Sequence, residues 1–143
     1  MLLKDVPLFK GIGPQLLTEI EEICSEDTLP FGHIVFRKGD FADFLYILIE
    51  GEIDITIRGL DRFHFPVDRE GQVFGWSAMV EPRRNRTRAE CQSRCSVYKI
   101  DGESLKNILE KYPLDALKVM ERVAGVIADR YIGKFSLRMG GAE

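Results

Sequence analysis

Apolar residues recur at three- and four-residue spacing through Leu16, Leu17, Ile20, Ile23 and Cys24, while Glu19, Glu21, Glu22 and Glu26 take the other side. This predicts an amphipathic helix that opens at Pro14, where a missing N–H costs nothing, and runs to about Ser25. From Thr28 the period changes to that of strands: Thr28–Gly32 and His33–Phe36, then a turn at Lys38-Gly39-Asp40. Phe44–Ile49 and Glu52–Ile57 flank Glu50-Gly51 and read as a hairpin. Ile53, Ile55 and Ile57 share one face, and Glu52 and Asp54 point to solvent. Gly59 and Asp61 mark a turn, Phe63, Phe65 and Val67 alternate, and Asp68-Arg69-Glu70-Gly71 turns again. Two further strands, Arg86–Gln92 and Ser96–Ile100, meet near Ser93-Arg94.

Helical spacing then returns. Asp101 is placed to cap a helix bearing Leu105, Ile108, Leu109 and Tyr112, which Pro113 ends, with the same proline able to open the next. A last helix is expected from Leu114 to Lys134. Leu117, Met120, Ala124, Ile127 and Tyr131 trace a near-heptad stripe along it, widened by Val119, Val123 and Ala128. That stripe packs on the strands or pairs with a second copy or a partner protein.

Many short strands joined by glycine turns, without intervening helices, predict a mainly β fold with flanking helices. The expected architecture is an antiparallel jelly-roll barrel or sandwich with one N-terminal helix and two C-terminal helices. We read one domain over 1–143: an N-terminal helical segment 1–26, the jelly roll 27–101 with a cassette at 71–91, the C-terminal helices 102–135 and a tail 136–143.

The cassette carries the candidate chemistry. Gly71 and Gly75 bracket Gln72-Val73-Phe74, a short apolar helix follows Gly75, and Arg83, Arg84, Arg86 and Arg88 crowd its end. Glycine beside backbone N–H groups, with arginine nearby, suits a phosphate or carboxylate. The candidate ligand-binding residues are Phe74, Gly75, Trp76, Ser77, Ala78, Arg84, Arg86, Thr87 and Arg88. On a regular strand Arg84, Arg86 and Arg88 would face one way, toward a pocket or toward solvent. Ser77 either caps the cassette helix, the simpler role, or donates to a phosphate as Thr87 can. Trp76 either stacks on a base or fills the pocket as a plug.

Composition narrows the remaining classes. The chain is 45% hydrophobic and 30% charged, as globular proteins are, and no apolar run approaches the roughly 18 residues needed to span a bilayer. Met1–Pro7 lacks the apolar core of a signal peptide, which points to the cytoplasm. A net charge of −3 argues against a nucleic-acid surface, and no helix-turn-helix follows the last helix. Cys24, Cys91 and Cys95 have poor metal spacing and read as packing thiols; His33 and His64 read as ordinary strand histidines. With no nucleophile elbow, paired metal motif or Walker loop, we expect no enzyme, no metal and no cofactor.

With these elements in order, the chain resembles the cyclic-nucleotide-binding domain family, which includes the sensor domains of catabolite activators and of cyclic-AMP-dependent kinase regulatory subunits. The likeness runs from Leu8-Phe9-Lys10-Gly11 to the final helix. It is carried by Phe36-Arg37-Lys38-Gly39-Asp40, by Leu45–Gly51, and by Gly39, Gly51 and Gly75 at the family's turn glycines. The resemblance implies a regulatory domain whose cassette binds cyclic AMP, cyclic GMP or another small anionic effector and signals through its C-terminal helices. Binders in the family show glutamate after the cassette glycine, for the ribose hydroxyl, and then an arginine for the cyclic phosphate. Here Trp76 follows Gly75, and the arginine position falls on Asn85, or on Arg86 if the loop is one residue longer. Loss of the glutamate bond costs about 1.5–3 kcal/mol, roughly ten- to a hundredfold in affinity. The alternative is a domain that keeps the fold without the nucleotide and serves as an interaction or dimerisation module through helix 114–134, with Trp76 as its plug.

Overall fold

The computed structural model describes residues 1–57 and 63–138, and of residues 63 and 131–138 the backbone only. The turn expected at Gly59 and Asp61, the Tyr131 side chain and the tail beyond residue 138 lie outside the described residues. Helix α1 spans Pro14–Ile23 with proline in its first turn. It stops short of the expected Ser25 because Cys24 is already paired with Ile100, opening strand β1 (Cys24–Leu29).

The strands that follow are β2 (Ile34–Phe36), β3 (Phe44–Glu50), β4 (Ile53–Ile57), β5 (Phe63–Val67), β6 (Val73–Phe74), β7 (Arg88–Cys91) and β8 (Cys95–Asp101). They form two antiparallel four-stranded sheets, ordered β1-β8-β3-β6 and β2-β7-β4-β5. The hairpin expected across Glu50-Gly51 is therefore corrected: β3 pairs with β6 and β8, while β4 pairs with β5 and β7. The turn carries the chain from one sheet to the other. A register shift between Leu48 and Glu50 marks where β3 leaves its ladder.

The alternation of β3 and β8 feeds two cores. Leu48 and Val97 face inward between the sheets with Ile53, Ile55, Phe65, Phe74 and Ala89. Leu45, Ile47 and Ile100 face the other way, beneath the helices and the N-terminal segment, with Phe9, Leu16, Ile20, Leu105 and Val119. Cys91 and Cys95 belong to the first of these cores, and burial beside the Cys95 thiol pushes Cys91 up to about 12, so it stays an unreactive thiol.

Helix α2 spans Gly102–Glu110 and is capped by Asp101, whose Oδ2 accepts from Ser104 N at 2.8 Å. Helix α3 spans Pro113–Arg138. Polar ties fix the helices to one another. The Glu19 carboxylate accepts from Lys111 Nζ and from the Tyr112 hydroxyl, and Asp115 Oδ2 accepts from Gly13 N at 3.0 Å. Those bonds from Lys111 and Tyr112 hold Glu19 below its usual carboxylate range.

The stripe expected on α3 is corrected as well. Val119 and Val123 are buried, and Ala116, Val126 and Ile127 pack against the same core. Leu114 (81% exposed), Leu117 (58%) and Met120 (37%) look outward, with Ala124 and Ala128 also exposed. The heptad reading merged two faces because valine at 119 and 123 and leucine at 117 are both apolar. Packing on the domain selected the β-branched set.

Candidate functional site

The cassette begins where β6 ends. Gly75 sits at φ +79°, and a Cβ there would come within 3.0 Å of Tyr46 Cδ2 and 3.1 Å of Phe44 O, so both conformation and space require glycine. The helix that follows is a single 3-10 turn, Trp76–Met79, with no side-chain cap. This corrects the expected capping role of Ser77. Its buried hydroxyl instead accepts from Arg86 Nη1 at 3.0 Å, while Arg86 Nη2 donates to Glu81 O at 2.8 Å. Arg86 thus lies back across the turn and is fixed at both ends of its guanidinium.

Phe36 and Phe74 form an aromatic floor, and Tyr46 stacks on Phe74 behind it at 5.1 Å. Burial pushes the Tyr46 phenol up to about 12. Around this floor Phe74, Gly75, Trp76, Ser77, Arg86 and Thr87 converge on one small cavity, joined by Asn85 and by Arg130 of α3. Six of the nine candidates therefore meet. Ala78 is buried against α2 rather than facing the cavity: a Cβ on Gly102 would lie 2.5 Å from Ala78 O.

Arg84 and Arg88 stand elsewhere. Arg84 bridges to Phe41 with its guanidinium 5.8 Å from that ring, and Arg88 pairs with Glu90 at 3.1 Å. The shared parity did not hold because β7 starts only at Arg88; the chain before it is loop, in which Arg83 takes φ +61°. Of the two positions weighed for the phosphate arginine, Asn85 is buried with its backbone tied to Gly39 and Asp40, and Arg86 carries the guanidinium toward the turn.

Sequence reasoning missed Arg130. Its guanidinium lies 5.0 Å from the Trp76 ring and 6.0 Å from Phe65, and its Nη2 donates to Val73 O at 2.8 Å. It closes the cavity to a volume of about 10 Å³, at most one water's worth. The sequence holds no local signal for this, since Arg130 is one of several charges on α3 and its partners are remote in the chain. His64 also gained a partner across the β4–β5 ladder, with Nδ1 2.8 Å from Asp54 Oδ2. That pair lies on the β4–β5 ladder and lines no part of the cassette cavity. No group of three His, Cys, Asp or Glu among the described residues could hold a metal ion. No described helix is long and apolar enough to cross a membrane.

Glutaminase 1 of Bradyrhizobium diazoefficiens is 25% identical over 130 residues, covering 91% of this chain and 21% of that protein. The cAMP-dependent protein kinase regulatory subunit of Emericella nidulans is 24% identical over 109 residues, covering 75% of this chain and 26% of that one. The chain thus spans well under a third of either relative. Among solved structures, a Geobacter metallireducens protein described as a cyclic nucleotide-binding protein superposes with a TM-score of 0.80 at 24% identity, covering 90% of this chain and 95% of that one. The profile of the cyclic nucleotide-binding domain matches residues 26–112, from β1 through the cassette to the end of α2. A two-sheet sandwich with a glycine-led cassette, three flanking helices and that match place the chain in the cyclic nucleotide-binding domain family, a family of regulatory domains.

Proposed function

We propose that the cassette is the receptor site of a non-catalytic regulatory domain. It binds a cyclic nucleotide, cyclic AMP or cyclic GMP, or another small phosphorylated anion, and passes occupancy to α2 and α3. The observation that carries this reading is the Arg86 guanidinium held beside Ser77 in the cavity wall, with no carboxylate among the described lining residues. Arg86 and Ser77 would take the phosphate oxygens, Thr87 would add a hydroxyl, and Trp76 would offer its ring to the base in place of a ribose acceptor.

A cavity of about 10 Å³ cannot admit a nucleotide, so occupancy requires Arg130 to leave Trp76 and Val73 and α3 to shift. The effector then selects the open form, a population shift. The contact of Ala78 with Gly102 gives the cassette a second, direct line to α2. Titration calorimetry with cyclic AMP and cyclic GMP tests this: saturable micromolar binding, lost in Arg86→Ala, supports the sensor, and no heat from either nucleotide refutes it.

The closed cavity and the outward Leu114 and Leu117 favour a second reading, a nucleotide-free interaction module that self-associates or binds a partner through α3. Sedimentation separates the two. A dimer dissolved by Leu117→Asp, in a protein that gives no calorimetric heat, leaves the module standing.

A further inference from the structure

We infer that the cleft between α3 and the turn before β6 is a second ligand site, distinct from the cassette's cavity, for a small amphipathic anion with an apolar body and one carboxylate or sulfonate. The cleft has a volume of about 660 Å³, within the usual range for small-molecule sites, against about 10 Å³ in the cassette. Its apolar surface comes from Pro7, Leu8, Val73 and Val126.

The walls are held by hydrogen bonds. Gln72 Oε1 accepts from Asp68 N and Arg69 N, both at 2.9 Å, and Gly71 N donates to Leu48 O at 2.8 Å. On the opposite wall Gly125 lies in the interior of α3, where glycine costs about 1 kcal/mol relative to alanine. No packing demands it, since a Cβ there would meet nothing within 4 Å. The effect of the missing side chain is to keep the cleft open.

Charge selects the ligand's head group. Three arginines, Arg69, Arg122 and Arg130, line the cleft with two carboxylates, Glu70 and Asp129. Arg122 is oriented in advance, because its Nη1 donates to Pro7 O at 3.3 Å and to Leu8 O at 3.1 Å. Its Nε and Nη2 make no bond among the described residues, and no ion pair there engages Arg69, Arg122, Glu70 or Asp129. A planar guanidinium fixed through one nitrogen loses little entropy when the others bind a carboxylate. Of the cassette's lining residues only Arg130 is shared, so the site stands without the nucleotide reading.

The test uses the full chain and anilinonaphthalene sulfonate, a flat apolar body with one sulfonate, followed by fluorescence. We expect saturable binding at one site, displaced by octanoate and not by octylamine. Gly125→Phe should weaken it at least about tenfold by filling the cleft, and Arg69→Ala about threefold, with Leu117→Asp unchanged. Gly125→Leu serves if the phenylalanine variant does not fold, as judged by circular dichroism. The inference is overturned by any of four results: no saturation, full affinity in the folded Gly125 variant, equal displacement by octylamine, or loss of binding in Leu117→Asp, which would put the probe on the outer face of α3.

Discussion

Replacing Arg130 with alanine removes its contact with the Trp76 ring and its bond to Val73 O, which hold α3 against the cassette. A guanidinium 5.0 Å from an indole contributes about 0.5–2 kcal/mol depending on how dry it is. A charged donor on a carbonyl, here Arg130 Nη2 to Val73 O at 2.8 Å, contributes about 1.5–3 kcal/mol. The low ends sum to about 2 kcal/mol, which would hold the open form near 3% of the population. A ligand that binds only the open form should therefore gain up to about 30-fold in apparent affinity in Arg130→Ala. Trp76 is the only tryptophan in the chain, so its emission reports the closure directly. Before any ligand is added, the variant's emission should shift as the indole loses its cation. Titration of parent and variant with cyclic AMP, read by the same emission, then measures the gain. Equal or weaker binding in the variant refutes the reasoning, because Arg130 would then contact the ligand or take no part in closure.

Three further outcomes follow from the packing and the charges. Gly102→Ala would bring a Cβ to 2.5 Å from Ala78 O, and the overpacking should cost about 1–3 kcal/mol in denaturant unfolding and weaken effector binding with it. Glu19 has a depressed pKa in the folded state, so the stability it supplies is present above about pH 4.5 and is lost as the pH falls through its folded value. Glu19→Gln should flatten that acid limb of the melting temperature against pH, and an unchanged limb would place the acid sensitivity elsewhere. Leu117→Asp should leave monomer unfolding within about 0.5 kcal/mol while Leu105→Ala, at a fully buried position, costs about 2–5 kcal/mol; equal costs would mean that α3 is packed the other way round.

The outline of the fold was legible in residues whose signal is local. Alternation at Ile53 and Ile55, the capping aspartate at 101 and the prolines at 14 and 113 each did in the structure what their chemistry predicts. What depended on the partner was not legible. Glu50-Gly51 looks the same whether a turn closes a hairpin or crosses between sheets, and only the pairing of β3 with β6 and β8 decides it. Leucine and valine along α3 carry equal hydrophobicity on two faces, so the buried face had to be chosen by the surface beneath. In the cassette, Gly75 was legible, while Arg86 stood as one alternative beside Arg84 and Asn85 until the loop before β7 placed it on the cavity. The closing cation was not legible, because Arg130 meets Val73 and Trp76 only through the folded chain.

The most direct test of cassette binding is a set of nitrogen–proton correlation spectra of the full chain, titrated with cyclic AMP and then with cyclic GMP. Our account predicts saturable shifts at Gly75, Trp76 and Ser77, at the Arg86 side chain, and at Gly102 where the cassette touches α2. Spectra that do not move in the cassette at saturating nucleotide, or that move only at Gly71, Gln72 and Gly125 along the cleft, would contradict it.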